Sequence, residues 1–392
     1  AERCIFRVPE RLRKSNSQAY TPRVVSIGHF HKANCALEPM EEVKLKYLKA
    51  FLNRTTLCVG HFVVKLQELE NKIRSFYAEP IDYSSNDFLK MVLIDTSFII
   101  EYSLRYYEGG DWWENDPLLL NQFLREIIYY DLILLENQLP YFVLEDIYNL
   151  TGMHLKFRSF HEIIFRFFHD SNSQGKNVGG LREYPKHFLD LIRYFQLPSS
   201  FDLEALETNM VVGHLYSASQ LSGAGLEFTA DTAKGLGYLD YHEGELIISS
   251  FLVNEFTEIL IKNIMAYEFC HEQTQTTFSQ WLKIMDFPIH QEKKDVNILI
   301  DKKIITNWIG DKNVVLNLFN NLGFIGMPYF NSKYLSICKS LNSFYENPCN
   351  QYKITLRREY FNTPWKTAST VAAIVLLLLT LIQTICSIIQ LF

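Results

Sequence analysis

Apolar residues recur every three or four positions along most of the chain, which is the spacing of helices with one buried face. The first such run follows the acidic, proline-containing segment 38–42 and continues to Ile73, which predicts one long amphipathic helix over 40–73. Asn86 and Asp87 then begin a nearly continuous apolar segment that reaches Tyr107, the pattern of a buried helix. The chain is therefore expected to be mainly helical.

Helical spacing resumes after the turn at Gly109 and Gly110. Further helices are predicted at 117–130, 132–150, 184–195, 203–220 and 254–270. Pro140 interrupts the second of these, so that helix is expected to kink or to restart there. The polar, glycine-containing loop 171–180 is the best candidate for an internal boundary.

The pattern changes near 225–248, where short apolar runs are separated by glycine. Runs of this kind are typical of a small antiparallel sheet. The predicted fold is therefore mainly α. It comprises a compact helical body with two candidate lobes, 1–170 and 181–366, a small antiparallel β element near 225–248, and one C-terminal transmembrane helix.

The last part of the chain is uncharged from 367 to 392, and every residue from 371 to 382 is Leu, Ile, Val, Ala or Thr. A helix of about 20 such residues crosses the roughly 30 Å hydrocarbon core of a bilayer. The residues expected to flank the membrane are Arg357, Arg358, Trp365 and Lys366. Because the basic residues precede the segment, the positive-inside rule predicts a cytosolic domain at 1–366 and a transmembrane anchor at 367–392. The alternative is a buried apolar helix of a soluble core.

Composition and charge narrow the class of protein. With 48% hydrophobic and 21% charged residues, the chain is expected to fold rather than to remain disordered. The net charge of -6 and the absence of a pattern of interleaved aromatic residues in the basic stretch 1–32 argue against nucleic-acid binding. Seven cysteines without a CxxC pair, and a charged N-terminus without an apolar signal segment, favour reduced thiols in a cytosolic domain.

Four motifs precede the apolar segment in a distinctive order. They are Tyr20-Thr-Pro-Arg-Val-Val-Ser-Ile-Gly28, Asp131-Leu-Ile-Leu-Leu-Glu-Asn-Gln-Leu-Pro140, Ile304-Ile-Thr-Asn-Trp-Ile-Gly-Asp311 and Tyr360-Phe-Asn-Thr-Pro-Trp365. With these motifs the chain closely resembles the plant "domain of unknown function 247" family over nearly its whole length. One departure is the sequence Gly28-His-Phe-His-Lys-Ala33, which lacks the Pro, the second adjacent His and the Gly that the family usually has there.

The resemblance implies a C-terminally anchored plant membrane protein. Some grass members of the family are associated with self-incompatibility as pollen-side determinants. The family offers no established catalytic residues that could be transferred to positions of this sequence.

Two groups of polar residues are candidates for chemistry. His29, His31 and Cys35, with His61 nearby in sequence, are metal-ligand types, but their spacing matches no known zinc site and no metal or other cofactor is expected. Burial of Glu136 would raise its pKa, as in a general acid. We expect instead a buried hydrogen-bond network that holds the kink at Pro140. Its members are Asp95, Glu136, Asn137 and Gln138.

The leading functional prediction is a non-enzymatic, single-pass, tail-anchored plant membrane protein that recognises another protein or signals, as in self-incompatibility. Its partners would be the lipid bilayer and a protein, its membrane the plasma membrane or the endoplasmic reticulum, and its specificity would reside in the exposed loops 107–115 and 171–180. Two alternatives stay open. One is a membrane-anchored enzyme of plant metabolism whose aromatic-lined pocket has Glu136 or Asp95 in reach, and the other is a membrane scaffold.

Overall fold

Helices make up most of the chain, as the spacing of apolar residues predicts. The computed structural model describes residues 3–181, 183–198, 214–271, 276–289, 292–322, 330–361 and 363–389. The helices are α1 (Glu10–Arg13), α2 (Glu38–Asn53), α3 (Val59–Ser75), α4 (Ser85–Glu108), α5 (Asp111–Asn115), α6 (Pro117–Leu120), α7 (Gln122–Asp131), α8 (Tyr141–Leu150), α9 (Phe160–Phe167), α10 (Phe188–Gln196), α11 (Ala218–Gly223), α12 (Thr257–Cys270), α13 (Thr277–Asp286), α14 (Lys293–Asp301), α15 (Lys312–Asn320), α16 (Ser332–Glu346), α17 (Pro348–Tyr360) and α18 (Pro364–Ile389). The strands are β1 (Glu227–Asp231), β2 (Leu239–His242), β3 (Glu245–Ser249), β4 (Phe251–Val253) and β5 (Ile305–Asn307).

Helix α4 lies at the centre of the N-terminal part of the body. It packs against α2, α3, α8 and α9, and its residues from Phe88 to Leu104 are buried with the exception of Lys90. The predicted buried helix is therefore confirmed. Its N-cap is Ser84 rather than Asn86 or Asp87, because the Ser84 hydroxyl accepts a hydrogen bond from the backbone N–H of Asp87 at 3.2 Å.

The predicted single helix over 40–73 is wrong, because the chain turns between α2 and α3. The Thr55 hydroxyl accepts a hydrogen bond from the backbone N–H of Leu57 at 3.2 Å, which favours a turn over another helical residue. The His61 imidazole then accepts from the backbone N–H of Cys58 at 3.3 Å and closes the first turn of α3. The pair Cys58 and His61 thus caps a helix.

The predicted helix over 132–150 is wrong in its first half. The structure forms α8 only from Tyr141, and the side chains of Asn137 and Gln138 bind backbone carbonyls of the irregular segment before it. Such side-chain bonds replace the hydrogen bonds of a helix, and Pro140 has no N–H with which to continue one. Similarly, Asn121 accepts from the backbone N–H of Leu124 and splits the predicted helix over 117–130 into α6 and α7.

The predicted β element is present, but its strand directions are mixed. The strand order is β1-β3-β2, with β2 antiparallel and β1 parallel to the central β3. The antiparallel pair closes through Glu243 and Gly244, whose φ angles of 44° and 91° suit a tight hairpin turn. A second, parallel pair joins β4 to β5 and was not predicted, because its strands lie about fifty residues apart in sequence.

Most of the remaining predicted elements have counterparts in the structure. Helices α10 and α12 correspond to the helices predicted at 184–195 and 254–270. Most of the helix predicted at 203–220 lies outside the described residues, which resume at 214 and form α11. Buried apolar residues from Cys4 to Leu341 belong to one continuous core. The division into lobes 1–170 and 181–366 stays a prediction.

Helix α18 is, within the described ranges, the one helix that is long and apolar enough to cross a membrane. The helix has 26 residues, and its most apolar 18-residue stretch has a mean hydropathy of 2.6. No part of that stretch is buried against the body. The alternative of a buried core helix is therefore wrong. The helix begins at Pro364, slightly before the predicted anchor 367–392, and residues 390–392 lie outside the described part. The flanking Trp365 is 85% exposed.

Candidate functional site

Residues 3–32 form a largely irregular arm (the N-terminal arm) that is held on the body by buried polar side chains. The carboxylate of Asp131 accepts three backbone hydrogen bonds, from Arg23 at 2.9 Å, Val24 at 2.7 Å and Val25 at 2.9 Å. Asn137 accepts from the backbone N–H of Ile27 at 2.7 Å and donates to the carbonyl of Val25 at 2.9 Å. The first two sequence motifs therefore bind each other.

Gln138 fixes the shape of the segment that carries these groups. Its amide donates to the carbonyls of Leu132 at 2.7 Å and Leu134 at 2.8 Å, and its side-chain oxygen accepts from the backbone N–H of Phe188 at 3.0 Å. The Tyr77 hydroxyl donates to the backbone carbonyl of Gln138 at 2.9 Å. This network closes the segment on itself and ties it to α10.

Asp95 belongs to a neighbouring buried ion pair with Lys44, a residue that the sequence analysis did not single out. The Lys44 ammonium lies 2.5 Å from the Asp95 carboxylate and donates to the backbone carbonyl of Ser26 at 2.8 Å. Asp95 also accepts from the backbone N–H of Gly28 at 2.9 Å. Although burial opposes its charge, the carboxylates of Asp95 and Glu41 raise the pKa of Lys44. The sequence feature that could have indicated this ion pair is a lysine within the otherwise apolar buried face of α2.

Glu136 lies in the irregular segment 132–140, and both of its carboxylate oxygens have polar neighbours. One carboxylate oxygen accepts from the backbone N–H of Val8 at 2.7 Å and from the Arg13 guanidinium at 2.5 Å, and the other lies 3.2 Å from the His31 imidazole. Burial alone would raise the pKa of Glu136, but the neighbouring His31 imidazole and Arg13 guanidinium lower it below its usual value. The raised pKa that a general acid would have is therefore not found, and the contacts of Glu136 are those of a structural acceptor.

The histidines near the arm have structural contacts of their own. The His29 ring packs edge-on against Tyr77, with ring centroids 4.8 Å apart, and burial lowers its pKa to about 4. Gly28 adopts φ +72°, and a Cβ there would lie 2.9 Å from the carbonyl oxygen of Gln138. Cys35 is exposed at the start of a short helical turn. No three His, Cys, Asp or Glu side chains among the described residues are grouped to hold a metal ion.

His187 attaches the beginning of the arm to α10. The backbone N–H of Asp190 donates to His187 Nδ1 at 3.2 Å, so Nε2 carries the hydrogen and donates to the carbonyl of Cys4 at 3.1 Å. The neutral ring thus uses both of its nitrogens. Complete burial lowers the pKa of His187 to about 4.

A second site lies on the surface, in an open cleft of about 930 Å³. We call it the aromatic cleft, and the six rings that define it are Tyr106, Trp113, Tyr129, Tyr130, Phe256 and Trp308. Tyr130 stacks on Phe256 with ring centroids 4.4 Å apart and an interplanar angle of 7°. Such rings offer large apolar faces with a negative potential above them.

The aromatic cleft joins three segments that are distant in sequence. Trp113 comes from loop 107–115 and Ser171 from loop 171–180, the two loops in which specificity was expected. Trp308 and Ile309, from the third sequence motif, form the rim and are 73% and 41% exposed. Neither Glu136 nor Asp95 is among the residues that line this cleft. Both loops were predicted to carry specificity, but the cleft was not predicted. Only the tertiary fold brings its lining residues together.

Comparison with known proteins agrees with the motifs. A family model described as a plant protein of unknown function (DUF247) matches residues 5–379. The chain belongs to this plant family. UPF0481 protein At3g47200 of Arabidopsis thaliana is 27% identical over 409 residues, which cover 97% of this chain and 85% of the relative. Putative UPF0481 protein At3g02645 of the same plant is 36% identical over 141 residues, or 36% of this chain and 26% of the relative. No solved structure matches the chain.

Replacement of Glu136 by Ala is expected to destabilise the body, because it leaves the buried N–H of Val8 and the Arg13 guanidinium without their acceptor. Each such loss costs about 1–3 kcal/mol. Glu136→Gln keeps the size and part of the hydrogen bonding, so it should cost less. Melting temperatures of the whole chain in detergent would measure the effect of both substitutions. Glu68→Ala is the control, because the Glu68 side chain is 65% exposed. Wild-type stability of both Glu136 variants would contradict a structural role.

Acidification should weaken the attachment of the arm through His187. The folded pKa is lowered from 6.5 to about 4, so this stabilisation is complete above pH 6.5 and is lost as the pH falls towards 4. The full loss is on the order of 3 kcal/mol, since one pKa unit corresponds to about 1.4 kcal/mol. Denaturant unfolding at several pH values would measure it, and His187→Asn, which keeps a helix-capping acceptor, should show a flatter pH dependence. Identical pH profiles for the two proteins would refute this role.

Proposed function

We propose that the protein is a membrane-anchored recognition protein without a catalytic role, which binds a partner protein through its helical body. The observation that carries the proposal is α18, an apolar helix whose side chains the body leaves uncovered. An exposed apolar surface of this extent is unfavourable in water, and a bilayer would cover it. The bilayer is therefore the first proposed partner.

The basic residues before α18 support a cytosolic body. Lys353, Arg357 and Arg358 belong to α17, and Lys366 lies in the first turn of α18. By the positive-inside rule, this side of the helix faces the cytosol. At about 1.5 Å per residue, α18 is roughly 39 Å long, which suits a thick bilayer. We therefore propose the plasma membrane or the endoplasmic reticulum.

The structural roles of the buried polar groups support recognition of a partner rather than catalysis. The carboxylates of Glu136 and Asp95 accept hydrogen bonds from the N-terminal arm, so both have a structural use. Residues of loops 107–115 and 171–180 meet at one open cleft, and surface loops on a rigid body are common sites of recognition. Self-incompatibility, which the family resemblance suggests, is one process in which such a protein would act.

One observation favours the enzyme alternative. The aromatic cleft has the size of a small-molecule site, and it contains the carboxylates of Glu126, Asp170 and Glu255. A scaffold, by contrast, would require α18 but not the cleft. Recognition and a scaffold role differ in one respect that can be measured. A change in a cleft loop should alter the set of neighbouring proteins only if the cleft recognises a partner.

Protease treatment of sealed microsomes is expected to destroy an epitope placed before residue 3 and to spare one placed after residue 392. Deletion of 364–392 should release the protein from membranes, because α18 would be gone. A fluorescent fusion should coincide with markers of the endoplasmic reticulum or the plasma membrane. Protection of the N-terminal epitope, or coincidence with a mitochondrial marker, would overturn the proposed placement.

Proximity labelling in plant tissue tests recognition. A biotin ligase fused to the N-terminus should label a set of neighbours that shrinks when loop 171–180 is replaced by a Gly-Ser segment of equal length. The matched control replaces the connection 232–238 between β1 and β2, which is outside the cleft, in the same way. If both replacements leave the labelled neighbours unchanged, the cleft loops do not select a partner and the scaffold alternative gains support.

A further inference from the structure

The rim of the aromatic cleft carries an exposed tryptophan, Trp308, whose backbone is hydrogen-bonded to the body. The backbone N–H of Trp308 donates to the carbonyl of Val253 at 2.9 Å, which attaches the rim to β4. The Asn307 side chain accepts from the backbone N–H groups of Ile309 at 3.0 Å and Gly310 at 3.2 Å. The backbone at this exposed tryptophan is therefore already ordered before binding, and tryptophan is common among interface anchors.

The charges around the cleft are mostly negative. Glu126 comes from α7, Asp170 from the turn after α9, and Glu255 from the connection between β4 and α12. Burial raises the pKa of Tyr130 to about 12; a hydrogen bond with Asn254 lowers it, and the charges of these three carboxylates raise it. Asp170 also lies 3.0 Å from the exposed His169 imidazole.

The one guanidinium that lines the cleft is directed to groups of the body. The Arg125 guanidinium lies over the Trp113 ring, 4.5 Å from its centroid, and donates to the carbonyl of Leu119. Arg23 lies at the edge of the cleft, 5.8 Å from the centroid of the Phe256 ring. Ring faces in this protein therefore already accept guanidinium groups, and three carboxylates line the same cleft.

We propose that the aromatic cleft binds an arginine-containing, positively charged segment of the partner protein. A guanidinium stacks on aromatic faces and pairs with carboxylates in two-point contacts, whereas a lysine ammonium lacks the planar shape. The cleft is near the upper end of the common range of pocket volumes, about 300–1,000 Å³, so it holds more than one side chain. The acidic groups come from three elements, which suits several cations along one segment. This inference rests on the proposed recognition function and names the chemistry of the partner.

Short fluorescent peptides provide the test with the whole chain in a neutral detergent. Peptides of alternating glycine with Arg, Lys or Glu should bind in the order Arg, then Lys, with no binding of the Glu peptide, as measured by fluorescence anisotropy. Added salt should weaken binding, because exposed charges are screened. The combined variant Asp170→Asn and Glu255→Gln should lose at least about 5-fold in affinity for the Arg peptide, and Trp308→Ala a similar factor.

Matched substitutions outside the cleft control for general effects. Glu68→Gln and Tyr352→Ala alter side chains that are 65% and 75% exposed and do not line the cleft, so both should bind like the wild type. Asp170, Glu255 and Trp308 are themselves exposed, and circular dichroism should show that their variants fold.

Three results would overturn the proposal. They are equal binding of the Glu peptide, no difference between the cleft variants and the controls, and displacement of the Arg peptide by an equal concentration of N-acetylarginine amide, which would indicate a small-cation site. If the peptides fail but the labelled neighbours depend on loop 171–180, recognition stands and only this inference falls. If the peptides bind but the neighbours do not depend on that loop, the proposed function falls and the cation site remains.

Discussion

The backbone N–H groups of five residues between 23 and 28 donate to buried side chains, and the N-terminal half of the body depends on this arrangement. A buried N–H without an acceptor costs as much as a lost hydrogen bond, and none of the strands in the described ranges pairs with this part of the arm. Asp131 accepts from three of these groups, Asn137 from Ile27 and Asp95 from Gly28. Asp95 and Asp131 lie in α4 and at the end of α7, whereas Asn137 lies in the irregular segment 132–140.

This arrangement gives the family motifs a physical meaning. The first motif supplies backbone donors, and the second supplies the carboxylate and amides that accept from them. Their polar side chains thereby find hydrogen-bond partners within the structure. The third motif has a different use, because its Asn307 side chain accepts from the backbone N–H of Ile309, which lies with Trp308 at the rim of the aromatic cleft. One signature therefore contains both a structural pair and a surface element.

The sequence predicted what depends on long-range periodicity and missed what depends on single side chains. Helices α4 and α12 and the exposed apolar α18 follow from spacing and composition alone. The break between α2 and α3 and the irregular segment 132–140 arise where Thr55, Asn137 or Gln138 binds nearby backbone, and periodicity does not register such bonds. The cleft lay beyond sequence reasoning because its rings come from segments nearly two hundred residues apart.

The attachment of the arm has a consequence for how the protein is made. Asn263 donates to the carbonyl of Ala19 at 2.7 Å, and Lys262 donates to the hydroxyl of Ser15 at 2.7 Å, so the arm needs partners that lie more than 240 residues further along the chain. Contacts of such separation form late, and synthesis runs from the N-terminus. The arm thus leaves the ribosome long before these partners and docks on them only after they have emerged. Until α12 has emerged, its apolar residues and free amides are open to chaperones.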